Sequence, residues 1–118
     1  MNVERTGTGP RAFAGVHGWA GNIRTFRRLY AFMPADASFY AMDLPGYGGT
    51  KAPPELTLEP VLESIAAMVN QIPSGDVTLV CNCGGAQFGL EAIRVHGLKV
   101  RRVALIDPFG YCPWYFHL

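Results

Sequence analysis

The chain has 118 residues, the length of one small domain. At 49% hydrophobic and 16% charged, with 14 Gly and 9 Pro, it is too apolar for intrinsic disorder and too interrupted for a coiled coil. Ten Lys and Arg against nine Asp and Glu leave a net charge of +1, which argues against a nucleic-acid groove or a membrane-surface patch. No apolar run approaches the ~20 residues that span a bilayer.

Residues 1–10 are polar and Gly-rich, lack the apolar stretch of a secretory leader, and read as a non-core N-terminal segment. Residues 12–16, small and apolar, read as a buried strand ending at His17-Gly18. Asn22 is a good N-cap for a helix to about residue 33, where Pro34 stops it. Ile23, Phe26, Leu29, Tyr30 and Met33 would form its apolar face, and Arg24, Arg27 and Arg28 a solvated one. A second strand over 38–44 enters the turn Pro45-Gly46-Tyr47-Gly48-Gly49.

After Thr57, the apolar residues Leu58, Val61, Leu62, Ile65, Met68, Val69 and Ile72 recur at three- and four-residue steps and predict a helix. Pro60 is tolerated in its first turn. Residues 77–80 make a β-branched strand that runs into Cys81-Asn82-Cys83-Gly84-Gly85 and a helix over 86–96. Gly97 stands where a helix end favours positive φ. A fourth strand over 103–106 ends at Asp107-Pro108, and 109–118 read as the start of a lid or tail. Strands alternating with helices predict an α/β domain, a three-layer sandwich whose mostly parallel sheet of about four strands is covered on both faces.

Three cysteines without an export signal read as reduced thiols of a cytoplasmic protein, and Cys81 and Cys83 are too close for an unstrained bridge. His17, His96 and His117 fall at no metal-ligand spacing, so neither a metal nor another cofactor is implied.

Sites in such sheets form at the carboxyl ends of strands. Three ends here carry unusual residues: His17-Gly18-Trp19, Asp43-Leu44-Pro45-Gly46-Tyr47-Gly48 and Cys81-Asn82-Cys83-Gly84-Gly85. A nucleophile on a sharp strand-to-helix turn needs small residues two positions before and after it, and Cys83 has Cys81 and Gly85 there. The helix that follows would set its sulfur at the positive end of the helix dipole. The alternative for Cys83 is a buried, inert thiol. His17 reads as a shaper of its loop, and Asp43 as a cap for its turn.

Together these segments resemble the α/β-hydrolase superfamily over roughly residues 13–108. Cys83 replaces the serine of the usual Gly-x-Ser-x-Gly elbow, and Cys81 its first glycine. The resemblance implies Cys83 as nucleophile and the backbone N–H groups of Trp19 and Gly84 as an oxyanion hole. It makes Asp107, at the sixth-strand acid position of some members, a candidate acid; its other reading is an Asp-Pro turn former. No histidine matches the family's base position, and the family's strands one, two, seven and eight have no counterpart, so the chain reads as a truncated single domain.

The implied function is hydrolysis of a small-molecule carboxylic ester, thioester or related acyl substrate, with a base supplied from elsewhere. The rival is a non-catalytic remnant, with a pocket lined by Trp19, Tyr47 and Phe109, that associates with itself or a complementing chain through exposed sheet edges. A phosphate-binding loop is excluded, because residues 81–85 carry neither Gly-x-x-x-x-Gly-Lys-Ser/Thr nor Gly-x-Gly-x-x-Gly.

Overall fold

A computed structural model describes residues 1–55 and 57–109. Five strands form one sheet: β1 (Val3–Gly7), β2 (Arg11–Val16), β3 (Ala37–Met42), β4 (Asp76–Asn82) and β5 (Arg102–Ile106). Their spatial order is β1-β3-β2-β4-β5; β1 runs antiparallel to β3 and every other pair is parallel. The α/β class and the mostly parallel sheet expected from sequence are both present.

The strand count differs by one. Val3–Gly7, expected to lie outside the core, pairs with β3 from Val3 opposite Met42 to Gly7 opposite Ser38. It escaped notice because it is short and carries Glu4 and Arg5, the kind of charge that edge strands use to discourage further pairing. Among the described residues the two outer strands therefore differ: β1 carries Glu4 and Arg5, whereas β5 is apolar after Arg102.

Two helices, α1 (Leu58–Asn70) and α2 (Gly85–His96), cover one face. Leu62, Ile65, Met68 and Val69 of α1 are buried with Ala12, Ala14 and Val16 of β2 and Leu79 of β4. Gly97 ends α2 in the left-handed conformation, at φ 59°.

The segment Ile23–Phe32 on the opposite face is a 3-10 helix, not the α-helix its composition suggested. Asn22 caps it reciprocally with Thr25, and its apolar side chains Ile23, Phe26, Leu29 and Phe32 are spaced by threes, the period that eclipses side chains in a three-residue turn. Only Phe26 is fully buried, against Phe39 and Val80; Leu29 and Phe32 stay exposed beside the open end of that face. Among the described residues no helix is long and apolar enough to cross a membrane.

Candidate active site

Cys83 follows β4 directly and precedes α2 by two residues. Its backbone is left-handed at φ 53°, a conformation disfavoured for a residue with a Cβ and met where the surroundings over-determine it. Those surroundings are visible. The Cys83 N–H donates to the Ile106 carbonyl at 3.0 Å, and its carbonyl accepts from Ala86 N–H at 3.1 Å and Phe109 N–H at 2.9 Å. The turn is thus clamped by its own helix and by the chain leaving β5. Cys83 is half-buried, and neither Cys81 nor Cys83 is in a disulfide.

Close packing holds the turn against the end of β2. A Cβ on Gly18 would lie 2.6 Å from Cys83 Cβ, 2.8 Å from the Asn82 carbonyl oxygen and 2.9 Å from Gly84 N. One on Gly85 would meet the backbone carbonyls of Val16 and His17. At the second small position of the turn the requirement is met by glycine. At the first, the Cys81 sulfur is fully buried and faces Gly89 of α2, where a Cβ would lie 2.5 Å from it. Cys81 fits because the helix opposite has no side chain at that level. Burial pushes its thiol up to about 12, so it stays protonated.

His17 is fully buried and both ring nitrogens are engaged. Leu44 N–H donates to Nε2 at 3.0 Å, which leaves the proton on Nδ1 to donate to the Gly18 carbonyl at 2.8 Å. Burial lowers its pKa, against the raising effects of that bond and of Asp43, so the ring is neutral. The Gly18 carbonyl also accepts from Gly21 N–H at 3.0 Å. Because the Gly18–Trp19 peptide is trans, fixing this carbonyl aims the Trp19 N–H the opposite way. Among the described residues neither the Trp19 nor the Gly84 N–H donates to a protein acceptor. The Trp19 side chain is 83% exposed.

Asp43 is buried and accepts from Ile23 N–H at 2.7 Å, and from Asn2 Nδ2 and Gly49 N–H at 2.8 Å each. Burial raises its carboxyl, but these hydrogen bonds and the nearby His17 outweigh it and hold it below the ordinary carboxylate value. It ties together Asn2 just ahead of β1, the start of the 3-10 helix and the Gly48-Gly49 turn, a larger part than capping one turn.

Asp107 follows β5, whose register sets Asn82 opposite Ile106, so Asp107 stands laterally next to Cys83. It too is left-handed, at φ 45°, and because Pro108 has no N–H the bond to the Cys83 carbonyl comes from Phe109 instead. Asp107 is exposed, and the described histidines His17 and His96 make their hydrogen bonds and ion pair to other residues. His96 ends α2, about 18 Å along the helix from its start, and its Nε2 lies 3.3 Å from Glu59. His117, Cys112 and the proposed lid or tail beyond residue 109, Trp114 and Tyr115 included, lie outside the described residues.

Among the described residues, two of the three side chains expected to share a pocket, Phe109 and Tyr47, line separate cavities. Phe109 lines a cavity of about 460 Å³ with Ala86, Leu90 and Leu105. Tyr47 lines another, of about 350 Å³, with Leu44, Leu58 and Phe88, and the Trp19 side chain belongs to neither. Sequence reasoning also missed Gly18 as the point where the two loops touch; a glycine between His17 and Trp19 at a strand end was the available signal.

Comparison with known proteins gives a concordant picture. The alpha/beta hydrolase family matches residues 15–117. Pimeloyl-[acyl-carrier protein] methyl ester esterase of Sodalis glossinidius is 32% identical over 82 residues, 70% of this chain and 31% of that protein. Haloalkane dehalogenase of Agrobacterium fabrum is 31% identical over 107 residues, 90% of this chain and 34% of that one. The structure of an alpha/beta hydrolase from Sphaerobacter thermophilus superposes with a TM-score of 0.80 at 24% identity, over 91% of this chain and 40% of that one. The chain spans about a third of the length of these curated relatives.

Proposed function

The chain belongs to the alpha/beta hydrolase family, and from that premise we propose that Cys83 is a nucleophile toward carboxylic esters and thioesters. Its sulfur attacks the acyl carbon, the Trp19 and Gly84 N–H groups hold the oxyanion, and the carbon–oxygen or carbon–sulfur bond to the leaving group breaks. The products are an acyl-thioester on Cys83 and an alcohol or thiol that carries away the proton of the Cys83 thiol.

The observation that carries this reading is the strained, clamped backbone of Cys83 beside two N–H groups with no protein acceptor among the described residues. An ester is preferred over a carbon–halogen substrate, the class named by one relative, because paired amide donors suit a carbonyl oxygen and a saturated carbon has none to offer. The esterase among the relatives supports the same class. Asp107 is the candidate acid, awaiting a base from outside the described residues; without one, the acyl-thioester accumulates.

Treatment with an activated ester such as p-nitrophenyl acetate, followed by intact-mass measurement and peptide mapping, tests this. One acetyl group is expected on the Cys83 peptide and none on the peptide's Cys81. Equal labelling of Cys83→Ala, or no labelling of the folded chain, rules out the nucleophile.

A second reading is favoured by the histidines. His17 has both nitrogens occupied and His96 sits at the far end of α2, so among the described residues Cys83 has no base. In that reading the chain is a non-catalytic module that pairs through a sheet edge, and a folded, unlabelled protein selects it.

A further inference from the structure

The loop that follows β2 runs from Gly18 to Asn22 and carries the Trp19 N–H. Gly21 N–H donates to the Gly18 carbonyl at 3.0 Å, so residues 18–21 form a turn. Its third residue, Ala20, is left-handed at φ 59°, where such a turn ordinarily calls for glycine. A residue with a Cβ stays in that region only where its surroundings fix it.

Two successive residues just beyond β3 supply the fixing, one at each end of the loop. At the near end, Leu44 N–H donates to His17 Nε2, and His17 Nδ1 donates to the Gly18 carbonyl. At the far end, Ile23 N–H donates to Asp43 Oδ1 at 2.7 Å. The carboxylate is itself held, because Asn2 Nδ2 and Gly49 N–H both donate to Oδ2, and Asp43 N–H donates to the Asn2 carbonyl at 2.9 Å. Asp43 and Leu44 are both buried, which shelters these bonds from water.

We propose that Asp43 is a positioning residue for attack on a carbonyl group: by holding Ile23 at the far end of the loop, its carboxylate keeps Ala20 left-handed and the Trp19 N–H aimed. Released at Ile23, Ala20 relaxes to negative φ and the turn opens. The Gly18 carbonyl then loses the Gly21 N–H, one of the two donors that fix the Gly18–Trp19 peptide. The Trp19 N–H loses its fixed direction with it. This deepens the acylation reading above and rests on it; Asp43 touches neither Cys83 nor the substrate in this role.

Ile23→Pro tests it with little disturbance. Ile23 is the first residue of the 3-10 helix, a position that tolerates proline, and Asn22 before it is extended, at φ −164° and ψ −170°. The substitution deletes the N–H that Asp43 accepts and leaves the bond from Arg24 N–H to the Asn22 side chain in place. Two reactions are then compared at Cys83 of the full chain by peptide mapping. Acetylation by p-nitrophenyl acetate passes through an oxyanion. Alkylation by iodoacetamide does not: the sulfur bonds to a saturated carbon, iodide leaves with its electron pair, and the thiol proton goes to solvent.

Ile23→Pro should slow acetylation about tenfold and leave alkylation within about twofold of wild type. Asp43→Asn should show the same split, and it carries the test if the proline variant is unfolded by circular dichroism. A change in thiol access or in the fold moves both rates together, so their ratio reports the loop. An unchanged ratio in a folded variant overturns the proposal and leaves the acylation reading standing. A folded wild type that is alkylated but never acetylated overturns both.

Discussion

Gly89→Ala probes how the turn at Cys83 is packed. The added methyl would lie 2.5 Å from the Cys81 sulfur and 3.1 Å from Leu79 Cδ2, and both residues are fully buried, so neither side chain can swing into solvent. Forcing a methyl into a filled core typically costs about 1–3 kcal/mol, against a gain of about 1 kcal/mol for Ala over Gly within a helix. The expected net loss is about 1 kcal/mol, the difference of those two terms. With Cys81→Ala in place the sulfur is gone, and only the tighter contact with Leu79 opposes the helix gain. Gly89→Ala should then be neutral or stabilising by up to about 1 kcal/mol. The two positions should therefore couple by about 1–2 kcal/mol, well above the roughly 0.5 kcal/mol expected of independent sites. Urea unfolding of the four proteins in the cycle, at unchanged m, measures it. If Gly89→Ala shifts stability equally in both backgrounds, Cys81 and Gly89 do not share one space, and the close approach of α2 to β4 is wrong.

Two further predictions concern the buried polar residues behind the site. His17 is held neutral below its ordinary value of 6.5 chiefly by burial, so the folded state binds its proton less readily than the unfolded chain. Stability should be complete above about pH 6.5 and fall on acidification from there by at most ~1.4 kcal/mol per pH unit. Urea midpoints of wild type and His17→Gln across that window measure the slope, and a slope unchanged by the substitution refutes the assignment. Asp43→Asn leaves the donors of Asn2, Ile23 and Gly49 sharing one amide oxygen where two carboxylate oxygens served them. It should cost about 3 kcal/mol at neutral pH and strip the Ile23 and Gly49 amides of exchange protection; a loss under about 1 kcal/mol would show that the carboxylate is not the hub of these loops.

What could be read from sequence divides along a physical line. α1 was legible because its buried residues Leu62, Ile65, Met68 and Val69 repeat within the chain itself, and the repeat needs no partner to be seen. β1 was not, because five residues carrying Glu4 and Arg5 become a strand only through their ladder with β3, more than thirty positions away. The 3-10 helix lies between these cases. Over ten residues, steps of three and of 3.6 select overlapping positions, so the segment was found and its pitch was missed. Sequence also left exposed the sheet edge at β3, which the charged β1 covers.

The same line runs through the candidate site. Cys83 stood out because the constraint on its turn acts two residues either side, within reach of pattern. The tautomer of His17 depends on Leu44 N–H, 27 residues on, and the neighbourhood of Asp107 and Cys83 on the register of two strands; neither distance is encoded locally. Cys81 illustrates the limit most sharply. Taken alone it departs from the glycine expected at its place in the turn. Beside Gly89 the departure disappears, because the missing volume has moved from the strand to the helix facing it. A tight turn therefore constrains the sum of two facing side chains rather than the identity of either. A large residue at one position is admissible wherever the opposing element has given up its own.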